Sequence, residues 1–147
     1  MAASDREEQL RRLIAELRMM QGSAEMLQQR LELLRTASAD LQVAESSLKA
    51  LKEIEEGKPM LVPMGGGVLA DARLGDLSKV IVSIGANISM EMDLDRAMED
   101  VSSRLAEVEK ASQSVQQQLQ QILAQMQAHQ NGINRLGAEL RGEAAGV

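Results

Sequence analysis

The chain has 147 residues, with 16 Lys and Arg against 22 Asp and Glu, for a formal net charge of −6. It contains no Cys, which excludes disulfides and thiolate metal sites, and no Phe, Tyr or Trp, the side chains that usually dominate a compact core. The acidity, with no Lys/Arg cluster, argues against nucleic acid and anionic membranes as partners.

No apolar run approaches the roughly 18 residues of a membrane span. Met1 to Arg12 also lacks the apolar stretch of a secretory leader. The expectation is a soluble cytoplasmic protein. Hydrophobic residues make up 44% and charged ones 26%, with Ala, Glu, Leu, Gln and Arg abundant. That is the usage of long helices and coiled coils, which bury a narrow seam and need no thick core.

The first segment, 4–57, opens on Ser4-Asp5-Arg6-Glu7, a capping box with Ser4 at N-cap and Glu7 at N3. Apolar residues then recur at 3-4 spacing through Leu10, Leu13, Leu17, Met20, Ala24, Leu27, Leu31, Leu34 and Leu41, with Ser38 the one polar member. The phase slips by one residue and continues through Ala44, Leu48, Leu51 and Ile54. Gly57 is the expected C′ residue, with Pro59 just beyond.

Residues 58–92 change character. Met60-Leu61-Val62 is a short apolar run, Gly65-Gly66-Gly67 a turn, and Val68 to Leu74 a second strand. After the Gly75-Asp76 turn, Lys79 to Ile84 is β-branched and apolar on both faces, which predicts burial on both. Gly85-Ala86-Asn87 turns again, and Ile88 to Met92 alternates apolar and polar. This is an insert of two β-hairpins with four short strands. Two-stranded hairpins are marginal alone, and a single chain offers no second sheet to cover Val80, Ile81, Val82 and Ile84. The insert is therefore expected to assemble with other subunits into a shared sheet or barrel, through Leu61, Val62, Val80, Ile81, Val82, Ile84 and Ile88.

The last segment, 93–142, starts with Asp93 as N-cap and Asp95 in the first turn. Its heptads run Leu94, Met98, Val101, Leu105, Val108, Ser112, Val115, Leu119, Ile122, Met126, His129, Ile133, Leu136 and Leu140. The two long segments are nearly equal in length, which favours an antiparallel pair with Ile54 near Leu94 and Leu10 near Leu140. At ~1.5 Å per residue each would reach roughly 75 Å. The predicted fold is mainly α, a two-helix coiled-coil hairpin joined by the β insert.

Leu61-Val62-Pro63-Met64-Gly65-Gly66-Gly67, followed by Lys79-Val80-Ile81-Val82-Ser83-Ile84-Gly85-Ala86 inside a helical hairpin, resembles the prefoldin α subunit of archaeal type. The resemblance covers roughly residues 5–141, and the two-hairpin insert points to the α type. It implies an ATP-independent chaperone, a hexamer of two α and four β subunits built on a double β-barrel base. Its arm tips would hold unfolded proteins and pass them to a group II chaperonin. The competing reading is a scaffolding coiled coil with no affinity for unfolded chains.

On that resemblance the client surface is the end where the termini meet: Leu10, Leu13, Ile14, Leu17, Met19 and Met20 on the first helix, and Ile133, Leu136 and Leu140 on the second. Seam packing is the alternative for all of them and the stronger one for Leu13, Leu17 and Leu136. Ile14 and Met19 fall outside the seam and are expected to be partly exposed, and flexible Met suits unselective contacts.

Gly22 and Gly132 fall at nearly matching heights in the expected pair. With Gly137 they either loosen the end of the arm or are tolerated there without effect. His129, the single His, has no converging metal ligands and is read as a seam residue that either sets register or sits where the seam opens. The Gln-rich stretch 113–130 reads as a solvated helix face. Gly65-Gly66-Gly67-Val68-Leu69-Ala70 matches a dinucleotide fingerprint only formally, because a strand and not a helix follows the glycines. There is no Gly-Lys-Ser/Thr, no nucleophile grouping and no pocketed carboxylate pair, so neither enzyme activity nor a metal or cofactor is expected.

Overall fold

A computed structural model describes residues 2–146. The element order is α1 (Ala3–Glu53), β1 (Pro59–Gly65), β2 (Val68–Arg73), β3 (Lys79–Gly85), β4 (Ile88–Asp93) and α2 (Leu94–Ala145). The helices have 51 and 52 residues. Two long helices and two small antiparallel hairpins are the architecture the sequence predicts.

Helix boundaries differ from expectation at two points. The Ala2 carbonyl accepts the N–H groups of Asp5 and Arg6 at 3.1 and 3.2 Å, so Ser4 lies inside the first turn and Ala2 occupies the cap. At its other end α1 stops at Glu53. Gly57 does take a left-handed φ of 77°, but within the turn whose Lys58 N–H reaches Glu55 O at 3.4 Å, and its own N–H bonds to Leu74 O at 2.8 Å. Asp93 behaves as predicted: its Oδ1 accepts the Arg96 N–H at 2.8 Å.

The two hairpins repeat one design. β1 pairs with β2 and β3 with β4, each antiparallel, as two separate two-stranded sheets. Gly65 pairs with Val68 and Gly85 with Ile88, each after a register shift, and each member of the second pair stands twenty residues after its counterpart. The closing bonds repeat as well: Leu74 N–H to Lys58 O at 3.1 Å and Leu94 N–H to Ser78 O at 3.3 Å. The loop residues Gly66-Gly67 and Ala86-Asn87 all have positive φ (57°, 79°, 52° and 60°), the left-handed pair that a tight two-residue hairpin turn requires. Between the hairpins Asp76 Oδ1 accepts the Ser78 N–H at 2.9 Å and its hydroxyl at 2.6 Å, which locks the turn and holds the Asp76 carboxyl below its usual pKa.

The chain divides into two compact units. One comprises residues 36–109, and its core is Leu48, Met92, Ala97 and Val101, with Leu41, Ala44, Leu51, Leu94 and Met98 packed around it. Val80 and Val82 join this cluster. Burial on both faces of β3 is not what this chain provides: Val80 and Val82 are half-buried, whereas Ile81 is 75% exposed. The cover for one face of β3 is thus the chain's own helices. Arg104 adds a polar tie, reaching Asp100 at 3.0 Å and the Ser83 carbonyl at 3.3 Å. Ile54 and Leu94 line one surface hollow, as their expected proximity requires.

The other unit comprises residues 1–35 and 110–147, of which 2–35 and 110–146 are described. Here α1 and α2 run antiparallel. Arg6 pairs with Glu139 at 3.7 Å and with Glu143, and Glu16 meets His129 at 2.7 Å. The buried seam is thin: Ala24, Leu31, Val115 and Leu136. Gly132 lies against Leu13, nine residues before Gly22, so the two glycines do not share a level. A β-carbon at Gly132 would stand 3.2 Å from Leu13 Cδ1, whereas one at Gly22 would meet nothing within 4 Å.

Candidate binding surfaces

Two surfaces carry the residues singled out by sequence. In the unit containing the termini, Leu10, Leu13, Ile14, Leu17, Met20, Ile133 and Leu140 are half-buried, and Leu136 is buried at 3% exposure. Met19 stands apart at 75% exposure. Leu13 packs over the bare backbone of Gly132, and Leu136 belongs to the seam.

Sequence reading missed what continues from Met19. Met26 and Leu33 follow it at intervals of seven and are 71% and 73% exposed. Seven residues are two turns, so the three side chains form a straight stripe on α1 beside the seam rather than within it. Ser23, Met26, Leu27, Gln29, Arg30 and Leu33 line an open groove along this stripe. The signal was a second 3-4 series, Met19, Ser23, Met26, Arg30, Leu33 and Ala37, hidden because two of its six members are polar. Isolated exposed apolar residues are ordinary, whereas three large ones aligned at heptad spacing make a candidate contact surface.

The second surface is the β insert. Leu61, Ile81, Ile84 and Ile88 are exposed, and Val62, Val80 and Val82 are half-buried. Each sheet has only two strands, so every strand keeps one unpaired edge within this chain. Open edges beside exposed Leu and Ile favour strand addition or sheet stacking by another chain.

Among the described residues no group of three or more His, Asp or Glu could hold a metal, and no helix is long and apolar enough to cross a membrane. The hollow lined by Asp5, Glu8, Gln9, Arg11 and Arg12 is an exposed charged helix face.

A helical pair carrying this double-hairpin insert is matched by the family model for the prefoldin subunit over residues 20–139. The chain belongs to the prefoldin family. It is 36% identical to the prefoldin subunit alpha of Pyrococcus horikoshii over 123 residues, 83% of this chain and 82% of that one. It is 34% identical to the prefoldin subunit alpha of Methanopyrus kandleri, over 77% of this chain and 72% of the relative. The cryo-EM structure of filamentous PFD from Methanocaldococcus jannaschii matches with a TM-score of 0.66 at 26% identity, covering 76% of this chain and 93% of that one. Membership in the prefoldin family carries a chaperone role, and the two-hairpin insert with these relatives places the chain with the alpha subunits.

Proposed function

We propose that the chain is an ATP-independent holdase subunit. It assembles with other prefoldin subunits through residues 58–92, in a hexamer of two α and four β chains. It captures unfolded proteins on the helical unit that holds its termini and passes them to a group II chaperonin. The supporting observation is the row Met19, Met26 and Leu33, exposed on α1 outside the seam. Apolar side chains left in water along a helix recognise exposed apolar segments without regard to sequence, and Met adapts its shape to each. Leu10, Ile14, Met20, Ile133 and Leu140, half-buried in the same unit, keep part of their apolar surface open toward the termini. Assembly is supported by the open strand edges and by the exposed Leu61, Ile81, Ile84 and Ile88.

The test is aggregation of a denatured client diluted from guanidinium into the assembled protein, followed by light scattering. A holdase suppresses scattering near stoichiometric ratios without nucleotide, and a scaffold leaves it unchanged. Deleting residues 1–20 and 130–147, or replacing Met19, Met26 and Leu33 together by Gln, is expected to reduce suppression while the oligomer persists. Full protection by both variants would overturn the surface assigned here.

A further inference from the structure

The single histidine is held in a way its neutral form cannot satisfy. His129 Nδ1 stands 3.0 Å from the Gln125 carbonyl oxygen on α2, and Nε2 stands 2.7 Å from Glu16 Oε2 on α1. A carbonyl and a carboxylate only accept hydrogen bonds, while a neutral imidazole carries one N–H and the imidazolium two. Both contacts are made together only when both nitrogens are protonated.

We propose that His129 and Glu16 form a pH-dependent clasp between α1 and α2, closed when the imidazole carries both protons and released when it loses one. On deprotonation one ring nitrogen turns a lone pair toward an oxygen, either the Gln125 carbonyl or the Glu16 carboxylate. The ring must then rotate or the helices must part. Glu16 holds a second partner at the same time: Arg12, one turn away on the same helix, lies 3.8 Å from Oε1. Loss of the imidazolium charge therefore leaves Glu16 with its ion pair within α1 alone.

The surroundings make the position sensitive. The His129 side chain is 19% exposed, and one turn toward the C-terminus Gly132 lets Leu13 approach the α2 backbone closely. The charged groups set against the imidazole are Glu16 and, through it, Arg12, both from α1. From α2 it meets the uncharged Gln125 carbonyl. The hydrogen bond to Glu16 raises the imidazole pKa above the ordinary 6.5, burial opposes this, and the Gln125 carbonyl and Glu16 charge add to the rise. A raised folded-state pKa means the clasp stabilises fully below the unfolded value and is lost as pH climbs through the folded one. The clasp opens as pH rises through that raised value. It is a property of the helix pair and does not depend on what the arm binds.

The chain has one His and no Cys, which makes two readouts unambiguous. The imidazole can be titrated by NMR in the full-length assembled protein. Spin labels at Ala15→Cys and Gln130→Cys report the separation of α1 and α2 near the clasp. The expected result is a midpoint above about 6.5 that falls to that value or below in Glu16→Gln. The label distances should be narrow below the midpoint, broader or longer above it, and independent of pH in Glu16→Gln and His129→Gln. Circular dichroism checks that both variants remain helical. A wild-type midpoint at or below the ordinary histidine value, or label distances unchanged across the titration, would overturn the clasp.

Discussion

Asp93 accepts the Arg96 amide hydrogen bond at 2.8 Å while its backbone pairs with Lys79 as the last residue of β4. One residue thus ends a strand and caps a helix, so the β insert enters α2 without a loop. Side-chain capping satisfies one of the four free N–H groups at a helix start. Asp93→Ala should cost about 1 kcal/mol, and Asp93→Asn or Asp93→Ser much less. Urea denaturation followed by circular dichroism measures this. A loss equal in all three variants would show that the cap is not the source.

Ala86 presents the opposite situation, a residue ill suited to its place. It has a φ of 52°, where a β-carbon crowds the following carbonyl, while its counterpart in the first hairpin is Gly66. Ala86→Gly should stabilise the second hairpin by about 1 kcal/mol, since relief of left-handed strain exceeds the entropy that glycine adds to the unfolded chain. Thermal unfolding of the two proteins side by side reads the difference. The same change in reverse, Gly66→Ala, should destabilise by a comparable amount.

Much of this architecture was legible because it rests on local rules. Gly65 to Gly67 and Gly85 to Asn87 announced the turns, and the β-branched run at Val80 to Val82 announced a strand. What was illegible depends on register between distant segments. Whether Gly132 meets Gly22 or Leu13 is fixed by side-chain packing along the helix pair, and a shift of a turn or two leaves the heptad pattern unchanged. The Glu16–His129 bond was invisible for the same reason. Met26 and Leu33 were passed over because the seam series accounted for the helix and a polar residue interrupts the row on either side of Met26. Ser4 illustrates a different failure: the capping-box motif is present, but the helix runs past it to Ala3.

Gly22 is a glycine with no steric reason to be one. It is exposed inside α1, its φ is helical, and an added β-carbon meets nothing within 4 Å. Gly22→Ala should stabilise by about 1 kcal/mol, the propensity difference between the two residues in a helix interior. Gly132→Ala should gain less, because the new methyl forces Leu13 Cδ1 to yield from 3.2 Å. Amide hydrogen exchange near each site gives a local measure. If Gly22 loosens the helix for capture of clients, Gly22→Ala will also lower suppression of aggregation, and if not, stability alone will change.

Ile81 and Val82 are neighbours on β3 that face opposite ways, and they separate folding from assembly. Val82 packs against the cluster of Leu48, Met92, Ala97 and Val101, whereas Ile81 is 75% exposed with Glu91 opposite it. Val82→Asp places a charge against an apolar cluster, and burial of an uncompensated carboxylate is among the most destabilising changes a domain meets. It should lower the thermal stability of the unit formed by residues 36–109 by several kcal/mol or unfold its insert. Ile81→Asp leaves that cluster untouched and adds only the repulsion of Glu91 opposite it, so the isolated chain should keep its helicity and lose no more than about 1 kcal/mol of stability. In the assembled protein the ranking is expected to change, because the Ile81 face is the one proposed to meet another subunit. Sedimentation of the mixture with a β-type partner should show Ile81→Asp shifted to smaller species. An Ile81→Asp protein that assembles as fully as the parent would place the contact elsewhere on the insert, with Leu61 and Ile88 on its remaining exposed surface the next positions to change.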